Sequence, residues 1–245
     1  MKLKILSYNI HKGFTIGNRD FILEQIRLAL RETNADILFL QEVLGDHLNK
    51  KIPDWKTAIQ FEYIADSVWP HFAYGKNAVY PEGHHGNAIL SKFPIIEWQN
   101  HAISTNRFEH RGLLQTRIMI PEKEKELLLC NTHLDLTQNG RDLQSDLIIK
   151  IMKIEKDIPW VLVGDFNDWN KKISPKIENE LQAKEVFQFL HGKYPNTYPS
   201  FLPILSLDRV FVHKLLPKSA VALKQTHWKN LSDHLPLYVE IDLDI

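Results

Sequence analysis

The chain has 245 residues, 30 Lys and Arg against 30 Asp and Glu, no formal net charge and 44% apolar positions. That balance excludes a disordered chain, which needs low hydropathy and a charge bias, and the length suffices for one domain, 1–245, with a sizeable core. No apolar run, Ile37 to Leu40 included, approaches the roughly 18 residues of a membrane span. The lone cysteine, Cys130, cannot form an internal disulfide, so a cytoplasmic protein is expected, and separately a monomer. Zero charge weakens the case for a nucleic-acid partner without excluding one.

Lys2 to Ile10 is short and Leu/Ile-rich, with none of the zones of a signal peptide. Asp20 reads as the N-cap of a helix over Phe21 to Thr33, where Phe21, Leu23, Ile26 and Leu30 recur at helical steps. Ile37 to Leu40 is a strand ending in Gln41 and Glu42, so the chain begins strand, helix, strand. A Gly-rich turn, Gly83 to Gly86, precedes a strand at Ala88 to Leu90. Leu113 to Ile120 and Leu127 to Thr132 flank a charged stretch as an antiparallel hairpin. Between Asp142 and Ile154 the set Leu143, Leu147, Ile148, Ile151 and Ile154 predicts a helix, with Lys150 and Lys153 near the end where the dipole favours cations. Val161 to Gly164, Leu207 to Val212 and Leu235 to Leu243 read as strands. Without repeats or linkers, this order argues for a layered α/β fold.

Polar residues collect at strand ends: Asn9, Glu42, Asn87, His133, Asp165 with Asn167, Asp208, and Asp233 with His234. A layered α/β scaffold builds its ligand crevice from such ends, although a single Asp or Asn there is commonly a turn former. Asp165 and Asn167 are two apart, so in extended chain they share a side; a carboxylate suits Mg²⁺ or Mn²⁺ and an amide can donate to phosphate. The competing structural reading of that pair is an Asx-turn. His234 is suited to proton transfer near neutral pH, but adjacent strand residues diverge, so a distant Asp rather than Asp233 must orient it. His84, His85, His110 and His227 are expected at the surface or in packing. CxxC pairs, HExxH, a P-loop, GxGxxG and GxSxG are all missing, which removes zinc, Walker-type and dinucleotide chemistry.

Seven ordered blocks remain: Ser7-Tyr8-Asn9-Ile10, Leu40-Gln41-Glu42, Gly86-Asn87-Ala88-Ile89-Leu90-Ser91, Asn131-Thr132-His133-Leu134, Gly164-Asp165-Phe166-Asn167, Leu207-Asp208-Arg209-Val210 and Ser232-Asp233-His234-Leu235-Pro236. Together they resemble the endonuclease/exonuclease/phosphatase superfamily of metal-dependent phosphoesterases. Phe72 to Ser91 and Leu231 to Pro236 look more closely like a bacterial YbhP-like group within it. The resemblance implies a four-layer α/β sandwich, two mixed sheets face to face with helices outside. It implies a Mg²⁺ or Mn²⁺ site held by Glu42 with Asn9 and Asp233. It also implies that Asp165 and Asn167 position phosphate and water, that Asp208 holds His234, and that His133 is a second imidazole against phosphate or leaving oxygen.

This chain departs from deoxyribonuclease-like members in having Gly86 and Asn87 where they carry a carboxylate that orients the imidazole matching His133. Asn87 and Arg111 are further phosphate-binding candidates, while Arg141 and Gln144 after Thr132-His133-Leu134-Asp135 lean towards the sphingomyelinase side. Tyr194, Tyr198, Phe201 and Trp169 could meet a base or a lipid tail, though packing is expected first. The implied activity is phosphodiester hydrolysis on nucleic acid or on a phospholipid or its head group. A non-catalytic binding module on the same fold is the rival of another class.

Overall fold

The computed structural model describes residues 1–17, 19–47, 59–81, 83–105 and 109–243. The chain opens with β1 (Lys2–Asn9), α1 (Leu23–Glu32) and β2 (Ile37–His47), and the two strands pair in parallel. Then come α2 (Gln60–Ala65), β3 (His71–Tyr80), β4 (Gly83–Ser91), β5 (Ile95–Ala102), β6 (Gly112–Ile120) and β7 (Lys125–His133). The second half continues with α3 (Gln138–Met152), β8 (Trp160–Asp165), α4 (Ile173–Leu181), β9 (Lys184–Glu185) and α5 (Val186–His191). It ends with β10 (Asp208–His213), β11 (Leu216–Ala222), α6 (Trp228–Leu231) and β12 (Leu237–Asp242). One sheet runs β11-β12-β1-β2-β4-β3 and the other β5-β6-β7-β8-β10-β9, each of six strands. Both are mixed, because β1 with β2 and β7 with β8 are parallel inside otherwise antiparallel sheets.

Alternation along the strands builds four layers. Leu3 and Ile5 of β1 join Ile37, Phe39, Leu129, Val161, Val163 and Val210 in a core between the sheets. Their neighbours Leu6, Tyr8, Leu38 and Leu40 pack on the other face under α1, α2 and α6. Leu128, Cys130, Trp160 and Leu162 do the same under α3 and α4. Central strands are therefore apolar on both faces, as parallel pairs covered by helices require. The same period of two carries the inner face into polar residues at one end: Leu3, Ile5, Ser7, Asn9; Leu127, Leu129, Asn131, His133; Val161, Val163, Asp165; and backwards Val212, Val210, Asp208. One mouth of the sandwich is thereby lined by the strand-end residues.

Buried amides close the floor of that mouth. Asn131 Nδ2 donates to the carbonyls of Leu40 and Ala88 at 2.9 and 2.8 Å, and its Oδ1 accepts from Gln41 Nε2 at 2.8 Å, so one side chain ties both sheets together. Each such bond contributes on the order of 1 kcal/mol, and leaving one of these buried groups unpaired would cost more.

Four local expectations are corrected. Helix α1 begins at Leu23 with Ile22 at its cap, and Asp20 instead closes a loop through backbone bonds with Thr15, because Phe14 and Phe21 pair as a bridge. Gly83 to Gly86 is strand rather than turn. A Cβ on Gly86 would come within 1.9 Å of the Gly75 carbonyl on β3, so glycine is what lets those strands meet. Helix α3 starts four residues before Asp142, at Gln138, where Thr137 Oγ1 accepts from Gly140 N. Its buried face carries Gly140, Arg141, Gln144 and Ile148, while Leu143, Leu147 and Ile154 are exposed. Finally, the last strand is shorter than expected, Leu237–Asp242. No helix among the described residues is long and apolar enough to cross a membrane.

Candidate active site

Asp165 ends β8 opposite Asp208 of β10 and beside His133 of β7. Gly164 makes that register possible: its φ is +152°, and a Cβ there would sit 1.9 Å from the Thr132 carbonyl. Asp165 Oδ1 accepts from Asn167 N at 3.0 Å, so the Asx-turn is real. Oδ2 is thereby left facing the mouth, where Asn9 Nδ2 lies at 3.2 Å, His133 Nε2 at 3.4 Å and His234 Nε2 at 3.5 Å. Structural and chemical readings of the pair thus hold together, one on each oxygen.

His234 is oriented from behind by a distant acid, with Asp208 Oδ2 at 2.9 Å from its Nδ1. That oxygen also accepts from Thr197 Oγ1 at 2.5 Å. Burial opposes a charge on His234, but Asp208, Asp165 and Asp233 outweigh it and push its pKa up to about 10. Burial, together with Asp208, raises Asp165 to about 6 against the pull of His234. His133 goes the other way, because burial is reinforced by Arg111, His234, His85 and Lys12, and it stays well below the ordinary imidazole value.

Glu42 reaches the mouth through a distortion. It follows Leu40 and Gln41, but the register of β2 against β4 slips between Leu40 and Val43, and Glu42 takes a φ of +54°. A bulge of this kind re-aims a side chain at the cost of local strain. Burial works against its charge, yet Lys12, the Asn9 amide, His11 and His234 hold its pKa below the usual carboxylate value. Asn9 Nδ2 donates to Glu42 Oε1 at 3.2 Å, and Lys12 Nζ is 3.8 Å from Oε2. Asp233 joins this side through Ser232, whose hydroxyl donates to the Asn9 carbonyl at 2.7 Å and lies 3.2 Å from Asp233 Oδ1.

Among the described residues, Asp165, Asp208 and His234 form the group of three metal-capable side chains with donor atoms within 4.8 Å of one another. The proton between His234 Nδ1 and Asp208 occupies the facing lone pairs, so this group is built to hold a proton. A hard cation fits Glu42 better, since its carboxylate is kept ionised by Lys12 and the Asn9 amide and takes no part in a shared proton. Asn9 turns its amide nitrogen to Glu42 and Asp165, so in this arrangement it positions both carboxylates rather than offering its oxygen.

The remaining candidates divide. Asn167 sits at the mouth with Nδ2 bonded to the Leu134 carbonyl at 3.0 Å. Arg111, just before β6, pairs with Glu109 at 3.2 Å, and its charge reaches His133 and His85. Asn87 is placed otherwise: its Nδ2 bridges the Gly112 and Asn131 carbonyls at 3.2 and 3.4 Å, which leaves its amide protons engaged within the fold. Arg141 and Gln144 likewise brace the loop after His133, through the Leu136 carbonyl at 2.6 Å and Asp135 N at 2.8 Å. Tyr194 covers buried Arg209, Tyr198 packs its ring 5.1 Å from that of His234, and Trp169 and Phe201 are exposed rather than packed.

His85, expected at the surface or in packing, is half-buried and faces the charges of Lys12, Glu42 and Arg111. Its Nε2 lies 2.5 Å from Tyr80 OH, and burial with Lys12, Arg111 and His84 pushes its pKa down to about 4. The signal was available, because Ile89, Asn87 and His85 share a strand face. His84, on the opposite face, packs with Tyr74, while His110 and His227 are exposed as expected. His11 and Lys12, at φ of +46° and +58°, were missed because nothing in the sequence announces that turn.

The chain is similar across nearly its whole length to the uncharacterized protein YbhP of Escherichia coli (strain K12), at 40% identity covering 98% of this chain and 96% of that one. Its fold matches the endonuclease/exonuclease/phosphatase from Beutenbergia cavernae DSM 12333 with a TM-score of 0.81 at 17% identity, covering 99% of this chain and 72% of the other. It also matches the mannosyl-6-phosphatase Bt3783 of Bacteroides thetaiotaomicron VPI-5482, with a TM-score of 0.74 at 20% identity over 98% and 100% of the two chains. The sequence signature of the Endonuclease/Exonuclease/phosphatase family covers residues 6–234, from β1 to His234, and the chain belongs to that family.

Proposed function

We propose that this protein is a divalent-metal-dependent phosphodiester hydrolase, acting as a cytoplasmic monomer, in which water attacks phosphorus at the Asp165 mouth. The observation that carries this reading is the environment of Asp165 Oδ2, flanked by Asn9 and two imidazoles, with Asp208 behind one of them. A related fold bearing the name mannosyl-6-phosphatase supports phosphoester chemistry on this scaffold.

Each residue then has a task. A phosphodiester is anionic and gains charge as water attacks, so donors fixed where that charge accumulates lower the barrier. His234, cationic at neutral pH, donates from Nε2 to a phosphoryl oxygen, and Asp208 keeps the ring in place. Asp165, with a pKa near 6, takes the proton of the attacking water, since a base works best when its pKa lies close to the working pH. His133 stays neutral and hydrogen-bonds the phosphate; as the P–O bond to the leaving group breaks, that oxygen takes its proton from His234, which recovers one from the newly protonated Asp165 at 3.5 Å. Asn167 and Arg111 hold the remaining oxygens. Glu42, with Asp233 linked through Ser232 and Asn9 beside it, would hold Mg²⁺ or Mn²⁺, which would supply Lewis acidity to the phosphate.

Turnover of bis(4-nitrophenyl) phosphate by chelator-treated protein, with and without Mg²⁺ or Mn²⁺, tests this beside Asp165→Asn and His234→Ala. We expect metal-dependent turnover that each substitution lowers by about 10³-fold or more. Absence of metal-dependent turnover on any diester or monoester, or variants matching the parent, would sink the mechanism.

A further inference from the structure

The segment between α5 and β10 folds back on itself beside His234. Thr197 and Tyr198 exchange backbone bonds with Leu205 at 2.8 to 3.1 Å, which makes a short hairpin. It is fastened just before its tip: Ser200 N donates to the Asp233 carbonyl at 2.8 Å, and Ser200 Oγ to the carbonyls of Ser232 at 2.6 Å and Lys229 at 2.9 Å. Yet its tip is Phe201-Leu202-Pro203-Ile204, with Phe201, Leu202 and Ile204 left 59%, 61% and 63% exposed. Two more apolar side chains stand on loops at the same end of the sheet, Leu136 after β7 at 63% and Trp169 after β8 at 56% exposure. Those two loops are tied together by Asn170 Nδ2 donating to Gln138 Oε1 at 2.5 Å.

An isolated exposed leucine needs no explanation, but contiguous apolar groups on a braced projection do. A projecting tip cannot be filled by a small ligand; it has to enter an apolar medium. Leu202 and Ile204 carry neither a flat π face nor a donor, so stacking on bases does not account for them. Lys171 and Lys172, both exposed, lie two and three residues after Trp169, and Lys229 lies beside Ser200, the residue before the tip. Apolar side chains beside ammonium groups match the boundary of an anionic bilayer, where binding grows with buried apolar area and attraction to acidic head groups.

We propose that Phe201 to Ile204, with Trp169 and Leu136, dock the mouth onto an anionic lipid surface, so that the phosphodiester it receives is a phospholipid head group presented there. This rests on the hydrolase reading for the chemistry, but docking itself needs neither metal nor turnover. Because Ser200 fastens the hairpin to residues flanking His234, a seated tip would hold the site at head-group depth.

Co-sedimentation with vesicles of phosphatidylcholine and phosphatidylglycerol in equal parts, with chelator present, reads docking alone. The parent protein is expected to partition onto these vesicles and less onto pure phosphatidylcholine. Phe201→Glu with Ile204→Glu should lower partitioning by about tenfold or more, with bis(4-nitrophenyl) phosphate turnover kept within about twofold. If that pair fails to fold, Leu202→Ser with Ile204→Ser reads the same loss. Docking is overturned if the parent protein does not bind the vesicles, or if folded variants bind them equally well. It is also overturned if the substitutions abolish only self-association, or only binding to a DNA oligonucleotide. Loss of soluble turnover in the parent would instead fail the hydrolase reading and leave the sedimentation result standing.

Discussion

His133 and His234 approach the same oxygen of Asp165 from two sides, at 3.4 and 3.5 Å, and both are buried. Desolvation disfavours the charged form of each, yet one is pushed up to about 10 and the other held well below the ordinary value. What differs is the wall behind the ring. His234 is backed by Asp208 at 2.9 Å, with Asp233 nearby, while Arg111, His85 and Lys12 lie around His133. The difference between the two charge states is therefore set by the neighbours of the rings, since burial works in the same direction on both. A site needing one proton donor and one neutral ligand for the same phosphate can obtain both from two histidines in this way.

The largest break in that contrast should come from Asp208→Asn, which removes the acid behind His234 and leaves the ring in place. Diester turnover is expected to fall by about 10²–10³-fold. The sign of the linked stability follows from the pKa. A histidine raised from 6.5 to about 10 contributes stability that is fully present below 6.5 and is lost as pH rises towards 10. Metal-free parent protein should therefore lose Tm across that window, and Asp208→Asn should lose less. Equal slopes in the two proteins would show that Asp208 does not set the charge of His234. A smaller effect is expected from His133→Gln, about 10–10²-fold on turnover, with the pH dependence of stability between 6.5 and 10 unchanged because a neutral ring has no proton to release there.

The strands that carry these residues are legible in sequence because their period of two runs unbroken from core to mouth. Val161, Val163 and Asp165 are one such series, and Asp208, Val210 and Val212 another. Glu42 is recognisable by type, but its direction depends on a bulge in β2 that local propensity does not encode. Helix α3 misleads for a different reason. Arg141 and Gln144 look solvent-facing in sequence but are buried, because the loop after His133 offers backbone partners at 2.6 and 2.8 Å. Amphipathic counting then selects the Leu143 and Leu147 face, which is exposed. His85 was legible in principle, since it lies two residues from Asn87 on the face that Ile89 buries.

Arg111→Gln sharpens the comparison most finely, since it alters the His133 wall alone. Burial is the largest cause of the depressed His133 pKa and Arg111 the next, so removing the guanidinium should raise that pKa while leaving it below 6.5. Glu109, which Arg111 engages at 3.2 Å, adds to the rise once its counter-ion is gone. For His234, burial comes first and then the charges of Asp208 and Asp165, so it should scarcely move. Ring titrations of both histidines by NMR in metal-free protein read the two responses separately. If Arg111 also holds a phosphate oxygen, KM for the diester rises by up to about tenfold with kcat less affected, the signature of lost uniform binding. An unmoved His133, or a His234 that shifts as far, would mean that the two walls are not independent. The opposite charge states would then have to be traced to Asp165, the group both rings share.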